Sequence, residues 1–214
     1  KVINYGLAFL ENWSEHYHGL FLFLSGDDIQ RNKVPETGQL YLIDMLFLAV
    51  GLIFAVRNIK SKEIKFVLYW LAIAPVAAAL TFQSPHALRA QNMVIPLIII
   101  SAIGFSEIIK RFKISGLFLL GVLIFWSFLR YEHMYWVHMA KEYPYSSQYG
   151  VKELVKYLDT NKNTYKDVII TDRYDQPYIL YLFYTKYDPI RFQTEHALTA
   201  RDGYGFSTEI YGRE

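Results

Sequence analysis

Residues 114–129 read ISGLFLLGVLIFWSFL, sixteen positions without a formally charged side chain, and two comparable runs precede them. Residues 66–88 supply twenty-three such positions and residues 90–106 another seventeen. A membrane span needs about 20 predominantly apolar residues, and soluble core helices rarely stay uncharged for so long. The chain nevertheless carries 22 Lys and Arg and 20 Asp and Glu among its 214 residues, with a mean hydropathy of only +0.13. The charges sit between and beyond the apolar runs. That distribution describes a membrane protein with water-facing parts.

The pattern predicts four transmembrane helices within 39–130, at about 40–56, 66–82, 93–109 and 114–130. The first is interrupted by Asp44, about one turn inside its start and shallow enough to reach interfacial water. Pro75 marks a kink in the second, and Pro96 falls in the first turn of the third. The fourth extends through Arg130 and Tyr131, with Trp126, Tyr131, Tyr135 and Trp136 as interface anchors. Residues 57–65 carry a net charge of +3 and residues 107–113 a net +2. Residues 1–38 and 131–214 each carry −2. The excess of Lys and Arg places the two short basic loops in the cytoplasm. Both end regions then face outward.

The flanks read differently. Residues 1–38 form an extracytoplasmic loop region with a short amphipathic helix over 2–13, followed by a Gly-, Pro- and Asx-rich loop at 25–38. From Tyr131 onward the chemistry is that of a small extracytoplasmic α/β domain, truncated at its end. Val151, Leu154, Val155 and Leu158 recur at helical spacing. Residues 167–171 read as a short buried strand, Pro177 opens a helix over 178–184, and 188–193 supply a second strand. The expected fold class is thus membrane all-α, with four transmembrane helices, followed by an α/β unit. The opening at Lys1 and the Gly-rich close read as a piece of a longer polytopic protein.

Composition excludes several classes. With no cysteine there is no disulfide framework, and disorder and collagen-like repeats are ruled out. A net charge of +2, placed beside apolar runs, is no footprint for nucleic acid.

The chemistry-bearing residues are few. In the turn at 83–92, His86 and Arg89 stand between two apolar runs. An Arg at a span end commonly snorkels to the headgroups. Its guanidinium also offers a bidentate fork to a lipid-linked phosphate at that depth, with His86 as a second donor. Asp27 and Asp28 are paired carboxylates, which can bind metal or act as acid and base, although in a Gly/Pro loop such residues more often form turns. Asp172 and Asp175 follow the expected strand, where open α/β sheets bind ligands, and equally suit helix capping before Pro177. His16 and His18, and His133 and His138, form two pairs without a third ligand, so no zinc site is assigned.

Phe21-Leu22-Phe23-Leu24-Ser25-Gly26-Asp27, then Arg31, Pro35 and Gly38, lead into an apolar run beginning Leu40-Tyr41-Leu42. Later, Ser84-Pro85-His86-Ala87-Leu88-Arg89 leads into a run containing Pro96. This order resembles the C-terminal half of bacterial GT-C membrane glycosyltransferases, of the protein O-mannosyltransferase-like and aminoarabinose-transferase-like kind. Residues 168–178 are similar to the outward domain of some members. The resemblance implies transfer of a sugar from a polyprenyl-phosphate donor to a glycan or protein acceptor outside the cytoplasm, at the plasma membrane. It also implies that the main catalytic residues lie outside this chain, in an outward loop that no position here matches. No catalytic residue, metal ligand or cofactor is therefore assigned, although family members often use a divalent metal. His86 and Arg89 match a turn bordering the donor phosphate. The alternative is a non-enzymatic membrane anchor presenting a carbohydrate- or protein-binding module.

Overall fold

The computed structural model describes residues 1–81, 83–112, 114–170 and 177–195. Two compact units result, Lys1–Tyr143 and Pro144–Glu214. All regular structure among the described residues is helical.

The first unit opens with α1 (Val2–Glu15), a single π-helical turn at Leu20–Leu24 and a 3-10 turn at Gln30–Asn32. Then come α2 (Asp44–Arg57), α3 (Lys62–Ile73), α4 (Val76–Ala79), α5 (Val94–Ile109) and α6 (Ile114–His133). The chain continues from α6 through a π-helical stretch, Met134–Met139, into α7 (Ala140–Glu142). Ser61 caps α3 by accepting the Ile64 N–H at 3.3 Å, which satisfies one of the donors a helix start leaves unpaired.

The core forms where α2 crosses α5. Phe21, Leu22, Phe23, Leu48, Leu71, Met93, Leu97 and Ile100 make one buried cluster, and Phe47, Ile108 and Leu120 a second. Two glycines set the approach of the helices. A Cβ on Gly51 would lie 2.0 Å from the Ile100 carbonyl oxygen, and one on Gly104 only 1.8 Å from that of Phe47. Small residues at such crossings let backbones come close enough for dense packing. Asp44 adds a polar tie, since its Oδ1 accepts the Ser101 hydroxyl at 2.9 Å and its Oδ2 the Tyr41 N–H at 3.1 Å.

Four transmembrane helices are not found among the described residues. Two helical stretches there are long and apolar enough to cross a membrane, Gln91–Ile109 of 19 residues and Ile114–Glu142 of 29. The stretch expected at 40–56 is helical for only the 14 residues of α2, about 21 Å at 1.5 Å per residue, against a hydrocarbon core about 30 Å thick. The stretch expected at 66–82 breaks at Pro75, leaving α3 with 12 residues and α4 with four. Absence of charge describes side chains; it does not guarantee a continuous backbone helix.

The second unit corrects the α/β expectation. It contains α8 (Val151–Asn161), α9 (Pro177–Thr185) and α10 (Pro189–Glu195), and α8 packs on α9. The strand expected at 167–171 has no regular structure over 167–170, where Ile169 is 95% exposed rather than buried. Its last residue lies outside the described residues. The strand expected at 188–193 is helical instead. Asp188 caps it, its Oδ1 accepting the Ile190 N–H at 2.9 Å, and Pro189 occupies the first helical position, where its missing N–H does no harm.

Candidate functional site

Asp27 organises the polar centre of the first unit. Gly26 reaches it with φ +69°, and a Cβ there would stand 2.9 Å from the Thr37 carbonyl oxygen. The backbone at this turn therefore suits glycine alone. The Asp27 side chain is fully buried, while Asp28 is exposed. Its Oδ1 accepts the Ile29 N–H at 2.8 Å, closing an Asx turn. Its Oδ2 accepts Asn32 Nδ2 at 3.0 Å and the backbone N–H of Ala87 at 2.7 Å. Three donors satisfy a carboxylate that burial would otherwise penalise. The last of them ties the 25–32 loop to a turn sixty residues away.

A second tie runs beside it. The His86 N–H donates to His16 Nε2 at 3.2 Å, and His16 Nδ1 lies 2.8 Å from the Asn12 carbonyl oxygen. A backbone N–H only donates and a carbonyl only accepts, so His16 is neutral with its proton on Nδ1. Burial holds its pKa below the usual histidine value, partly countered by the Asn12 carbonyl. The Asn12 carbonyl also accepts the Ser84 hydroxyl at 2.9 Å. Loop, turn and the end of α1 are locked into one polar cluster.

The two residues singled out from the sequence have different surroundings in this turn. His86 is buried, with Nδ1 3.8 Å from Asp27 Oδ2 and without a hydrogen-bond partner. Arg89 is exposed, and its Nη1 donates to the Thr81 hydroxyl at 2.9 Å, which in turn donates to the Ala78 carbonyl at 2.6 Å. The guanidinium is thereby held at the surface of the turn, while the Nδ1 edge of His86 faces Asp27. Asp172 and Asp175 lie outside the described residues. His133 and His138 meet edge to face at 5.2 Å, with His138 bonded to Glu142. Among the described residues, no group of three His, Asp or Glu side chains is placed to hold a metal ion.

Sequence reasoning missed His16, Asn12 and Asn32. His16 was visible only as half of a pair with His18, and its true partner lies seventy positions away. A groove of about 650 Å³ lies between residues 37–44, α2, α5 and α6. Its walls are mostly apolar, with Arg130 and Tyr131 among the lining residues.

Comparison with known proteins adds nothing to this geometry: no family model, no curated protein and no solved structure matches the chain.

Proposed function

We propose that this chain is part of an integral-membrane glycosyltransferase that moves a sugar from a polyprenyl-phosphate donor to an acceptor outside the cytoplasm. One observation carries the reading. Two of the three segments that resemble this enzyme class, 21–38 and 84–89, close on each other through the bond from the Ala87 N–H to buried Asp27. Segments so far apart in the chain thus form one polar unit, and the exposed Arg89 sits on it.

In this reading Arg89 contacts the donor phosphate through its guanidinium fork. His86 contributes mainly by position, because its backbone N–H is held by His16 and its ring is buried beside Asp27. Chemistry at the sugar falls to residues outside this chain. Two helices with the length and apolarity of membrane spans support a bilayer setting.

The test is sugar transfer by the full-length protein in vesicles supplied with a polyprenyl-phosphate sugar. Release of polyprenyl phosphate coupled to glycosylation of an acceptor supports the proposal. Binding of a glycan with no turnover of any such donor replaces it with the anchored binding module, a reading favoured by the exposed Tyr145, Tyr149, Tyr157 and Tyr165 of the second unit.

A further inference from the structure

α1 has three faces, and the first unit covers only one of them. Phe9, Asn12 and Trp13 are part-buried, and His16, one turn on, is fully buried. Asn12 Nδ2 donates to the Ala79 carbonyl at 3.1 Å, and the Trp13 indole N–H to that of Ala72 at 2.8 Å. Asn4, Glu11 and Glu15 share a second, polar face. Ile3, Leu7 and Leu10, spaced four and three apart, form the third. They are 77%, 61% and 56% exposed. A contiguous apolar row of this kind marks a surface that something covers.

Length and charge narrow what covers it. The 14 residues of α1 make a helix about 21 Å long, too short to cross a hydrocarbon core about 30 Å thick. A helix lying along a membrane surface needs no such length, only an apolar face toward lipid and a polar face toward water. Residues 2–15 contain no Lys or Arg, and their two charges, Glu11 and Glu15, stand on the polar face. Adhesion through this helix is therefore apolar, with nothing to attract an acidic partner.

Position agrees with chemistry. The Asn12 carbonyl accepts the Ser84 hydroxyl at 2.9 Å, and His16 Nε2 accepts the His86 N–H at 3.2 Å. These bonds fix the end of α1 to the turn that leads, at Gln91, into the first stretch able to cross a membrane. The boundary between hydrocarbon and water for that stretch falls at this turn. Trp13 and Tyr17, with ring centroids 4.8 Å apart, are the aromatic types that gather at such a boundary. Apolar exposure continues on the neighbouring elements. Leu80 is exposed at the end of α4, on which α1 packs, and Ile95 and Ile98 are exposed in the first turns of α5.

We infer that α1 lies along the membrane surface, with Ile3, Leu7 and Leu10 in lipid and Glu11 and Glu15 in water. The inference rests on the bilayer setting proposed above and not on sugar transfer. Through Ser84 and His86 the helix also fixes the height of the Arg89 turn against the headgroups.

The chain has no cysteine, so single spin labels report on chosen positions. The test uses the full chain in phosphatidylcholine vesicles, labelled in turn at Leu7→Cys, Leu10→Cys and Glu11→Cys. Val122→Cys, exposed in the middle of the apolar run of α6, supplies the depth of a spanning helix. Relaxation by oxygen, which concentrates in lipid, should exceed relaxation by a water-soluble nickel chelate at Leu7 and Leu10. At Glu11 the order should reverse. Adding phosphatidylglycerol should leave all three unchanged, because α1 has no cation to draw it down. Equal access of the chelate to the three positions would leave α1 in water and overturn the inference. A depth at Leu7 equal to that at Val122 would place α1 inside the bilayer rather than along its surface, and would overturn it too. Dipolar broadening between Leu7 labels that vanishes on dilution with unlabelled protein would give the face to a second copy of the chain. None of these depths depends on sugar transfer, so loss of the transferase reading would leave them unchanged.

Discussion

The Tyr17 hydroxyl donates to the Leu71 carbonyl at 2.8 Å, and Leu71 stands four residues before Pro75. Proline has no N–H, so the helix itself cannot supply the donor this carbonyl expects. The next carbonyl, that of Ala72, accepts the Trp13 indole N–H at 2.8 Å. Trp13 near the end of α1 and Tyr17 just beyond it thus satisfy backbone groups exposed where α3 stops, and the break becomes a docking point.

Tyr17→Phe keeps the ring and removes the donor. It should cost about 1 kcal/mol of stability, the usual net value of one hydrogen bond, read as a lower thermal midpoint in detergent. Burial pushes the Tyr17 phenol up to about 12, above the usual value of about 10. The unfolded chain therefore loses this proton first as pH rises. The contribution is complete below about pH 10 and is lost as pH approaches the folded value. The Phe variant should show a shallower alkaline decline than the parent; matching curves would show that Tyr17 does not govern it.

His16 has the opposite sensitivity. Burial lowers its pKa, the neighbouring His86 adds to that effect, and the Asn12 carbonyl, Glu15 and Asp27 oppose it. With the folded value below about 6.5, the unfolded chain takes up the proton first, so stability is present above about pH 6.5 and falls with acidification. Protonated Nε2 can no longer accept the His86 N–H. His16→Gln, which does not titrate, should flatten the fall in thermal midpoint between about pH 7 and pH 5. An unchanged slope would assign the acid response to other groups.

The crossing of α2 and α5 depends on Gly104, where a side chain would enter the Phe47 backbone. Gly104→Val should cost about 1–3 kcal/mol through overpacking. Gly121 on α6 provides the control, because nothing lies within 4 Å of a Cβ placed there. Gly121→Val should leave the melting temperature nearly unchanged. A similar loss in both variants would mean that helix propensity, rather than the crossing, sets the cost.

Arg89 separates phosphate recognition from simple interface anchoring. If its fork holds the donor phosphate, Arg89→Ala should weaken donor affinity about ten- to hundredfold, matching the roughly 1.5–3 kcal/mol of a charge-assisted bond. Arg89→Lys should restore only part, since an ammonium cannot bind phosphate bidentately. Transfer rates against donor concentration in the full-length enzyme distinguish the cases. Equal apparent affinities in all three proteins would leave Arg89 as a headgroup anchor held by Thr81.

What could be read from the sequence alone was local. The uncharged runs ending at Ser106 and Leu129 mark the two longest apolar helical stretches, because transfer of side chains into hydrocarbon is nearly additive along a helix. The turn residues around Gly26 and Pro35 marked the loop, since their backbone preferences act within a few positions. The failures came where a local signal was ambiguous. Pro75 is compatible with a kink or a stop, and Tyr17 and Trp13, far away in the chain, satisfy the carbonyls of a stop. Asp188-Pro189 was a helix start hidden inside an apolar pattern that also fits a strand.

The candidate site shows the same division. Asp27 and Asp28 are identical by composition and adjacent in sequence, yet one is fully buried and the other exposed. Only the folded chain brings the Ile29, Asn32 and Ala87 donors around Asp27, and only it sets His16 against the backbone of His86. The sequence by itself determined where the two long apolar helical stretches run and where the loop around Gly26 turns, since those free energies depend on each residue and its near neighbours. The tertiary structure decided which polar groups are paired and buried and which stay exposed. A buried charge or carbonyl is tolerated only beside a partner, and here several of those partners lie about sixty positions away.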